Sequence, residues 1–198
     1  MTLLNLAYYC NATRTLGPGQ RFVIWVQGCC FNCPGCVSPE WIPQTTATLV
    51  EPQKLAEYIL SIPNTEGLTV SGGEPMLQAA ALSQLFSYLR EHQDLSIMCY
   101  SGFKLQQLQA KIDPDINQVL SLIDVLVDGQ YIEQLDDNKG WRGSANQTVH
   151  FLTSRHIQED HLFTERKRDV ELHVQDDSVL MVGVPPNNFQ QDFHQICG

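Results

Sequence analysis

The sequence has no apolar run long enough to span a bilayer, which takes about 20 consecutive residues. Residues 1–6 lack the basic flank and the small-residue cleavage site of a secretory signal peptide. Basic residues are also scarce: the formal net charge is −10, and the one basic run, residues 166–168, is flanked by Glu165 and Asp169. We therefore expect a cytoplasmic globular protein that binds neither membrane nor nucleic acid.

The seven cysteines do not have the even number and regular spacing of a secreted disulfide framework. Four of them lie within residues 27–41, which we call the cysteine loop. Cys29, Cys33 and Cys36 have the spacing C-x3-C-x2-C, so one short loop can present three thiolates to an iron-sulfur cluster. A 4Fe-4S cluster held by three cysteines leaves one iron open. S-adenosylmethionine can chelate that iron through its amino and carboxylate groups.

Two other interpretations of the cysteine loop stay open. Cys33 and Cys36 enclose a Pro-Gly pair after a predicted strand, a pattern that thioredoxin-type redox pairs share. Neighbouring cysteines can also hold structural zinc, although zinc usually takes four ligands and no matching second pair follows. Cys30 does not fit the cluster spacing, and we expect it to be a small buried hydrophobic residue beside the cluster.

Strands and helices alternate along the first two thirds of the chain. Runs rich in β-branched and aromatic residues predict buried strands, and apolar residues at helical spacing predict the helices between them. The predicted strands are residues 21–27, 67–71, 95–101 and 123–128, and the predicted helices are residues 52–62, 76–92, 104–110 and 114–122. This order predicts an α/β fold with a parallel sheet and right-handed crossovers. Because these units are too few for a closed eight-stranded barrel, we expect a partial parallel β/α barrel with one open side that admits a large substrate.

A glycine-rich turn, Gly72-Gly73-Glu74-Pro75, follows the second predicted strand directly. Adjacent glycines are expected to leave backbone amides free and to admit a close ligand, and the Glu74 carboxylate can accept the amino group of a bound amino acid. The structural alternative is a plain strand-to-helix turn, since a carboxylate is also favourable at a helix start. Asp128, at the end of the fourth strand, is similarly either a ligand contact or part of a turn-forming Asp-Gly pair.

Together these motifs resemble the radical S-adenosylmethionine activating enzymes, from about residue 16 to residue 147. The resemblance rests on the cysteine loop, on residues 71–75, and on the segments 124–129 and 141–147. Within that family the chain is most similar to the activases of anaerobic ribonucleotide reductase. Gly35 stands where many radical enzymes place an adenine-stacking aromatic residue, and the Pro-Gly pair at this position is similar to that subgroup, which supports the assignment.

The resemblance implies a 4Fe-4S cluster ligated by Cys29, Cys33 and Cys36. It also implies that S-adenosyl-L-methionine binds against residues near this loop and at the later strand ends. The implied cofactor-binding residues are Gly35, Cys36, Val37, Ser71, Gly72, Gly73, Glu74, Pro75, Ser101 and Asp128. The implied reaction is reductive cleavage to methionine and a 5′-deoxyadenosyl radical, which takes a hydrogen atom from a glycine of a partner glycyl-radical enzyme. A flavodoxin or ferredoxin would supply the electron.

Residues 151–198 lie beyond the resemblance to the core, which would comprise residues 1–150. We predict in this C-terminal extension a β-hairpin formed by residues 170–174 and 179–182. Five scattered histidines are expected at the surface: His150, His156, His161, His173 and His194. The extension leaves open a radical enzyme that modifies a peptide or small molecule directly. A thiol redox protein or a metal-bound protein without radical chemistry is the third alternative.

Overall fold

The computed structural model describes residues 2–176, 178–187, 189, 193 and 195. Its centre is a seven-stranded sheet with the spatial order β3-β1-β2-β4-β5-β6-β7. The strands are β1 (Leu4–Thr13), β2 (Arg21–Val26), β3 (Thr48–Val50), β4 (Gly67–Gly72), β5 (Ser96–Ser101), β6 (Val125–Asp128) and β7 (Thr148–Phe151). The four central strands, β2, β4, β5 and β6, are parallel, which confirms the predicted parallel sheet. Their carboxyl ends meet at one edge, where such sheets place their chemistry.

Four helices follow the predicted alternation with the strands: α1 (Pro52–Ser61), α2 (Ala79–His92), α3 (Leu105–Ala110) and α4 (Pro114–Leu122). Prolines open α1 and α4, where the missing N–H has no intrahelical partner to lose. Helix α2 begins three residues later than predicted, because Pro75–Gln78 forms a 3-10 turn. In the part of the chain that the structure describes, no helix is long and apolar enough to cross a bilayer.

The helices pack on one face of the sheet through alternate residues of the parallel strands. This follows from the period-two alternation of side chains along a strand. Fully buried strand residues on this face include Phe22, Ile24, Leu68, Val70, Ile97, Cys99 and Leu126. Cys99 is thus an ordinary core residue in this layer.

The antiparallel strands β1, β3 and β7 escaped the sequence analysis. Strand β1 alternates buried and exposed positions and carries polar residues, and β3 has only three residues, so neither gives a long apolar signal. Their pairing flanks the parallel strands on both sides: β1 pairs with β2, β3 pairs with the start of β1, and β7 pairs with β6. The outermost strands, β3 and β7, have no buried residue, because an edge strand is partly solvated.

The opposite face of the sheet is covered by the C-terminal extension. The predicted hairpin is confirmed as β8 (Val170–Val174) and β9 (Val179–Gly183), and a short helix, α5 (Asp160–Thr164), precedes it. Val182 packs in one cluster with Val23 and Trp25 of β2, and Phe163 packs in another with Met98 and Val127. This layer therefore lies on the face of the sheet opposite the helices.

A buried polar network occupies the amino-terminal edge of the parallel strands. Arg21 is fully buried and donates to Thr69 Oγ1 at 2.6 Å, to Leu68 O at 2.7 Å and to Ser96 O at 3.1 Å. Burial lowers the pKa of Arg21 to about 10. His156 Nε2 lies 2.7 Å from Ser96 Oγ, and its side chain is buried.

The expectation of surface histidines is therefore wrong for His156, which the extension inserts into this network. The ring also bonds Glu159 through Nδ1 at 2.6 Å, so both nitrogens have partners. His161 is exposed, whereas His150 and His173 are half-buried. His194 lies outside the described residues.

Candidate cluster and cofactor site

The cysteine loop leaves β2 at the carboxyl edge of the sheet and is closed at its base. Gly28 N donates to Trp41 O and Cys29 N donates to Ile42 O, each at 2.9 Å. The Trp41 ring packs against Trp25 at a centroid distance of 5.4 Å. The loop thus starts and ends at one fixed point on the sheet, and its intervening residues lie at the surface.

Cys29, Cys33 and Cys36 are free, partly buried thiols on this loop. Cys30 is exposed, so the expectation that it is buried was wrong. The position beside the later strands is taken instead by Phe31, whose ring lies 4.8 Å from that of Phe103.

The sequence analysis did not predict the contact between Phe31 and the end of β5. A Cβ placed on Gly102 would lie 2.5 Å from the Phe31 ring, so this ring sits tightly over the end of β5. The signal was available in the sequence, because Phe31 is the one aromatic residue among the four cysteines. It anchors the exposed part of the loop to the strand that carries Ser101.

Burial raises the pKa of Cys29 to about 11 and also raises the pKa of Cys33. A metal must therefore displace protons from these thiols on binding. Among the described residues, no three His, Cys, Asp or Glu side chains stand close enough to hold a metal ion without rearrangement. The donor set nevertheless fits an iron-sulfur cluster, since three free thiols project from one short exposed loop. Ligation requires the loop to turn these thiols toward one another.

The Gly-Gly-Glu-Pro turn docks directly on the base of the cysteine loop. Gly73 N donates to Val26 O at 2.7 Å, and Glu74 N donates to Gly28 O at 2.8 Å. The expectation that these amides stay free for a ligand was therefore wrong. The approach itself requires glycine, because a Cβ at Gly73 would lie 2.2 Å from Gly28 O. Gly72 has a φ of +108°, which favours glycine, and a Cβ at this position would also clash with the backbone of Val26.

Glu74 joins the ends of two neighbouring strands. Its carboxylate is 1% exposed and accepts hydrogen bonds from Ser101 Oγ at 2.9 Å, Gly102 N at 2.7 Å and Met76 N at 2.9 Å. Burial raises the pKa of Glu74, and these hydrogen bonds oppose that effect. The bond from Met76 N is the helix-start contact of the structural alternative. A carboxylate offers about four acceptor positions, and donors among the described residues fill three of them.

Ser71 and Pro75 flank the Gly72-Gly73-Glu74 segment. Ser71 lies half-buried on β4 opposite Trp25, and Pro75 is buried at the start of the 3-10 turn. The structure thus brings Ser71, Gly72, Gly73, Glu74, Pro75 and Ser101 together at the base of the cysteine loop.

Asp128 is buried at the end of β6, beside Ser101 in the parallel ladder. Its Oδ2 accepts from Leu105 N and lies 2.7 Å from His150 Nε2. The carboxylate therefore holds the start of α3 and the adjacent strand β7, a role that neither sequence interpretation included. Asp128 thus lies at the same carboxyl edge of the sheet as Glu74, but the two carboxylates have different hydrogen-bond partners.

The loop between β6 and β7, residues 129–147, borders the cysteine loop, and we call it the bridging loop. A Cβ at Gly35 would lie 3.1 Å from the carboxyl carbon of Glu133. The Tyr131 backbone partly offsets the rise that burial causes in the pKa of the Cys33 thiol. Val37 is 54% exposed. The sequence analysis missed Tyr131 and Glu133, although they follow the Asp128-Gly129 pair closely.

Comparison with known proteins identifies the family of this chain. A family model described as a 4Fe-4S single cluster domain matches residues 15–150. An anaerobic ribonucleoside-triphosphate reductase-activating protein of Vibrio cholerae is 35% identical over 145 residues, covering 69% of this chain and 91% of that protein. The chain belongs to this family of activating proteins. Similar proteins include those of Escherichia coli K12, 34% identical over 69% of this chain and 91% of that protein, and Enterobacteria phage T4, 31% identical over 67% and 85%.

The matched region contains both halves of the site. The family model includes the cysteine loop, the Gly-Gly-Glu-Pro turn and the bridging loop, and it ends at residue 150. The extension thus lies outside the part of the chain that this model describes.

Proposed function

We propose that this protein is a radical S-adenosylmethionine enzyme that generates a glycyl radical on an anaerobic ribonucleotide reductase. The observation that carries the proposal is the junction of the two motifs, in which Glu74 N bonds Gly28 O at the base of the cysteine loop. A cluster-binding loop and a cofactor-binding turn must be adjacent if one iron is to hold the cofactor. The names of the relatives supply the partner.

In this proposal, Cys29, Cys33 and Cys36 ligate a 4Fe-4S cluster. A bound cluster would supply the electron for reductive cleavage of S-adenosylmethionine to methionine and a 5′-deoxyadenosyl radical, and that radical would take a hydrogen atom from a glycine of the partner. A flavodoxin or ferredoxin is the proposed electron donor. Residues 1–150 form the radical core, a partial β/α barrel, and residues 151–198 form the extension.

The remaining residues of the site bind and orient the cofactor. We assign its methionine moiety to the turn, where donors of the described residues fill three acceptor positions of Glu74 and a fourth would take the ammonium group. Gly35 and Val37 would lie along the cofactor on the loop side. Ser101 and Asp128 shape the far side from the ends of β5 and β6. The proposed cofactor contacts are Gly35, Cys36, Val37, Ser71, Gly72, Gly73, Glu74, Pro75, Ser101 and Asp128.

The thiol redox alternative is weakened by electrostatics. A reactive cysteine of a Cys-x-x-Cys pair requires a lowered pKa, because the thiolate is the nucleophile. Burial raises the pKa of Cys33 instead. A radical enzyme acting directly on a peptide or small molecule remains the second candidate, since the extension covers a face of the sheet and lies outside the family model.

The test is transfer of the radical to a partner. The anaerobically reconstituted, reduced protein is mixed with S-adenosylmethionine and an anaerobic ribonucleotide reductase, and the glycyl radical is followed by electron paramagnetic resonance. We expect a radical on the reductase that Cys33→Ala abolishes. Release of 5′-deoxyadenosine without a reductase radical, in the presence of a competent reductase, would favour the second candidate.

A further inference from the structure

Arg168 is a buried cation that connects the extension to the bridging loop. Its side chain is 1% exposed, and Nη1 lies 2.9 Å from Asp136 Oδ1. Nη2 donates to the carbonyl oxygens of Arg142 and Gly143 at 2.7 and 2.9 Å. Arginine is seldom buried unless it is paired, and here its partners fix several separate points of one loop.

The same loop contacts the cysteine loop on its other side. Asp136 N donates to Glu133 O at 3.1 Å. The Glu133 side chain lies against Gly35, which stands between two proposed cluster ligands, Cys33 and Cys36. A short chain of contacts therefore runs from Arg168 through Asp136 and Glu133 to the cysteine loop.

We infer that Arg168 is a positioning residue for the cysteine loop, acting through the bridging loop. This inference rests on the proposed function, because the loop being positioned is the proposed cluster site. It also assigns a role to the extension, which holds the site from the side opposite the helices. Since the family model ends before Arg168, this support is not described by that model.

Arg155 provides a matched control on the same extension. It is also an ion-paired arginine, but its partners are Asp94 and Asp124 at the amino-terminal edge of the sheet. A general loosening of the extension should follow either substitution. A positioning role predicts an effect at the cysteine loop for Arg168 alone.

The first test measures amide hydrogen exchange in the full-length apoprotein, comparing wild type with Arg168→Gln and Arg155→Gln. Because hydrogen bonds to a buried charge are lost, exchange in residues 28–41 and 129–147 should accelerate about tenfold or more in Arg168→Gln. Those regions should stay at the wild-type rate in Arg155→Gln. Equal protection in all three proteins, or equal acceleration in both variants, would overturn the inference.

The second test uses the reconstituted holoprotein. Arg168→Gln should raise the KM for S-adenosylmethionine about tenfold and alter the paramagnetic resonance signal of the reduced cluster on cofactor addition. Arg168→Lys, which keeps the charge but not the fork of donors, should recover only part of both effects. A wild-type signal and KM in Arg168→Gln would contradict the positioning role.

The failure of the proposed function would look different. In that case the wild-type holoprotein releases no 5′-deoxyadenosine, whereas the exchange results still decide whether the two loops are coupled. If Arg168→Gln does not fold, Glu133→Ala removes the exposed side chain that lies against Gly35. We expect Glu133→Ala to accelerate exchange in residues 28–41, and unchanged exchange there would overturn the inference.

Discussion

The two edges of the parallel sheet differ in how they use polar residues. At the amino-terminal edge, Arg21, Ser96 and His156 bond one another or nearby backbone, and little of them reaches solvent. At the carboxyl edge, Glu74 and Asp128 are also buried, but they lie beneath a loop with exposed Cys30 and partly buried cysteines. The amino-terminal edge is a hydrogen-bonded network that is largely closed to solvent, whereas the carboxyl edge lies beneath a partly exposed loop.

We therefore expect the amino-terminal edge to contribute mainly to stability and the carboxyl edge mainly to cluster and cofactor binding. Buried polar groups that have all their partners lock one arrangement of the strands. The carboxyl edge also has a fixed backbone, through Gly73 and Glu74, and it carries the three proposed ligands as partly buried thiols outside any disulfide. Substitutions at the first edge should therefore change the free energy of unfolding, and those at the second should change cluster or cofactor binding.

The largest effect is expected at the cluster ligands. Cys33→Ala should abolish cluster assembly with little change in unfolding, because a 4Fe-4S cluster with two protein thiolates loses a required ligand. Cys30→Ala is the matched control, since Cys30 is exposed and outside the ligand spacing. Iron and sulfide content with the visible spectrum measure both variants. A full cluster in Cys33→Ala, or its loss in Cys30→Ala, would reverse the ligand assignment.

The next effect compares the two ends of β6. Asp124 accepts from Ile97 N and Arg90, so Asp124→Asn should cost about 3 kcal/mol of unfolding free energy by breaking a buried ion pair. Asp128→Asn should cost less stability and weaken cofactor binding. Denaturant unfolding and cofactor titration together decide this pair, and equal profiles for the two variants would remove the distinction between the edges.

Acid sensitivity should also reside at the amino-terminal edge. Burial alone would raise the pKa of Asp124, but hydrogen bonds from Ile97 N, Thr153 and Arg90 outweigh it and lower the pKa. The folded state thus binds this proton less readily, so the stabilisation is present at neutral pH and fades as the pH falls below about 4. Asp124→Asn should flatten this part of the stability curve. An unchanged acid limb would contradict the assignment.

The next prediction compares two glycines at opposite ends of β4, where we expect smaller effects. A Cβ at Gly67 would lie 2.4 Å from Arg21 Nη1, and one at Gly73 would lie 2.2 Å from Gly28 O. Each alanine substitution should cost about 1–3 kcal/mol through overpacking. Only Gly73→Ala should reduce cluster loading, measured as iron per chain. Normal loading in Gly73→Ala would show that the junction does not hold the loop.

The smallest effect is expected from Glu74→Gln. The cluster should remain, while affinity for S-adenosylmethionine falls about tenfold, because the amide replaces an acceptor with a donor facing Gly102 N. Cofactor titration with the cluster spectrum as readout tests this. Unchanged affinity would leave Glu74 with its structural role alone.

The elements that local sequence patterns determine were predicted correctly. The parallel strands and their helices were found because apolar periodicity is strong there, and the hairpin because its two strands flank a polar turn. The edge strands and the burial of His156 depend on distant residues and give no local signal. The cysteine and glycine motifs were recognised from spacing and order. Their backbone junction was not, because a turn sequence does not show which carbonyls its amides will meet.

The roles of Glu74 and Asp128 illustrate the same limit. Their positions at strand ends placed them at the correct edge, since parallel strands end together. Their partners, Gly102 N for one and Leu105 N with His150 for the other, depend on how the following loops fold back. Tyr131 and Arg168 were missed for this reason as well.

The most direct measurement is release of 5′-deoxyadenosine from S-adenosylmethionine by the anaerobically reconstituted, dithionite-reduced protein. Cys33→Ala and Cys30→Ala serve as paired controls. The account predicts release by wild type and Cys30→Ala, and none by Cys33→Ala. No release by a wild-type protein that holds a full, reducible cluster would contradict the claim that the cysteine loop and the Gly-Gly-Glu-Pro turn form one radical-generating site.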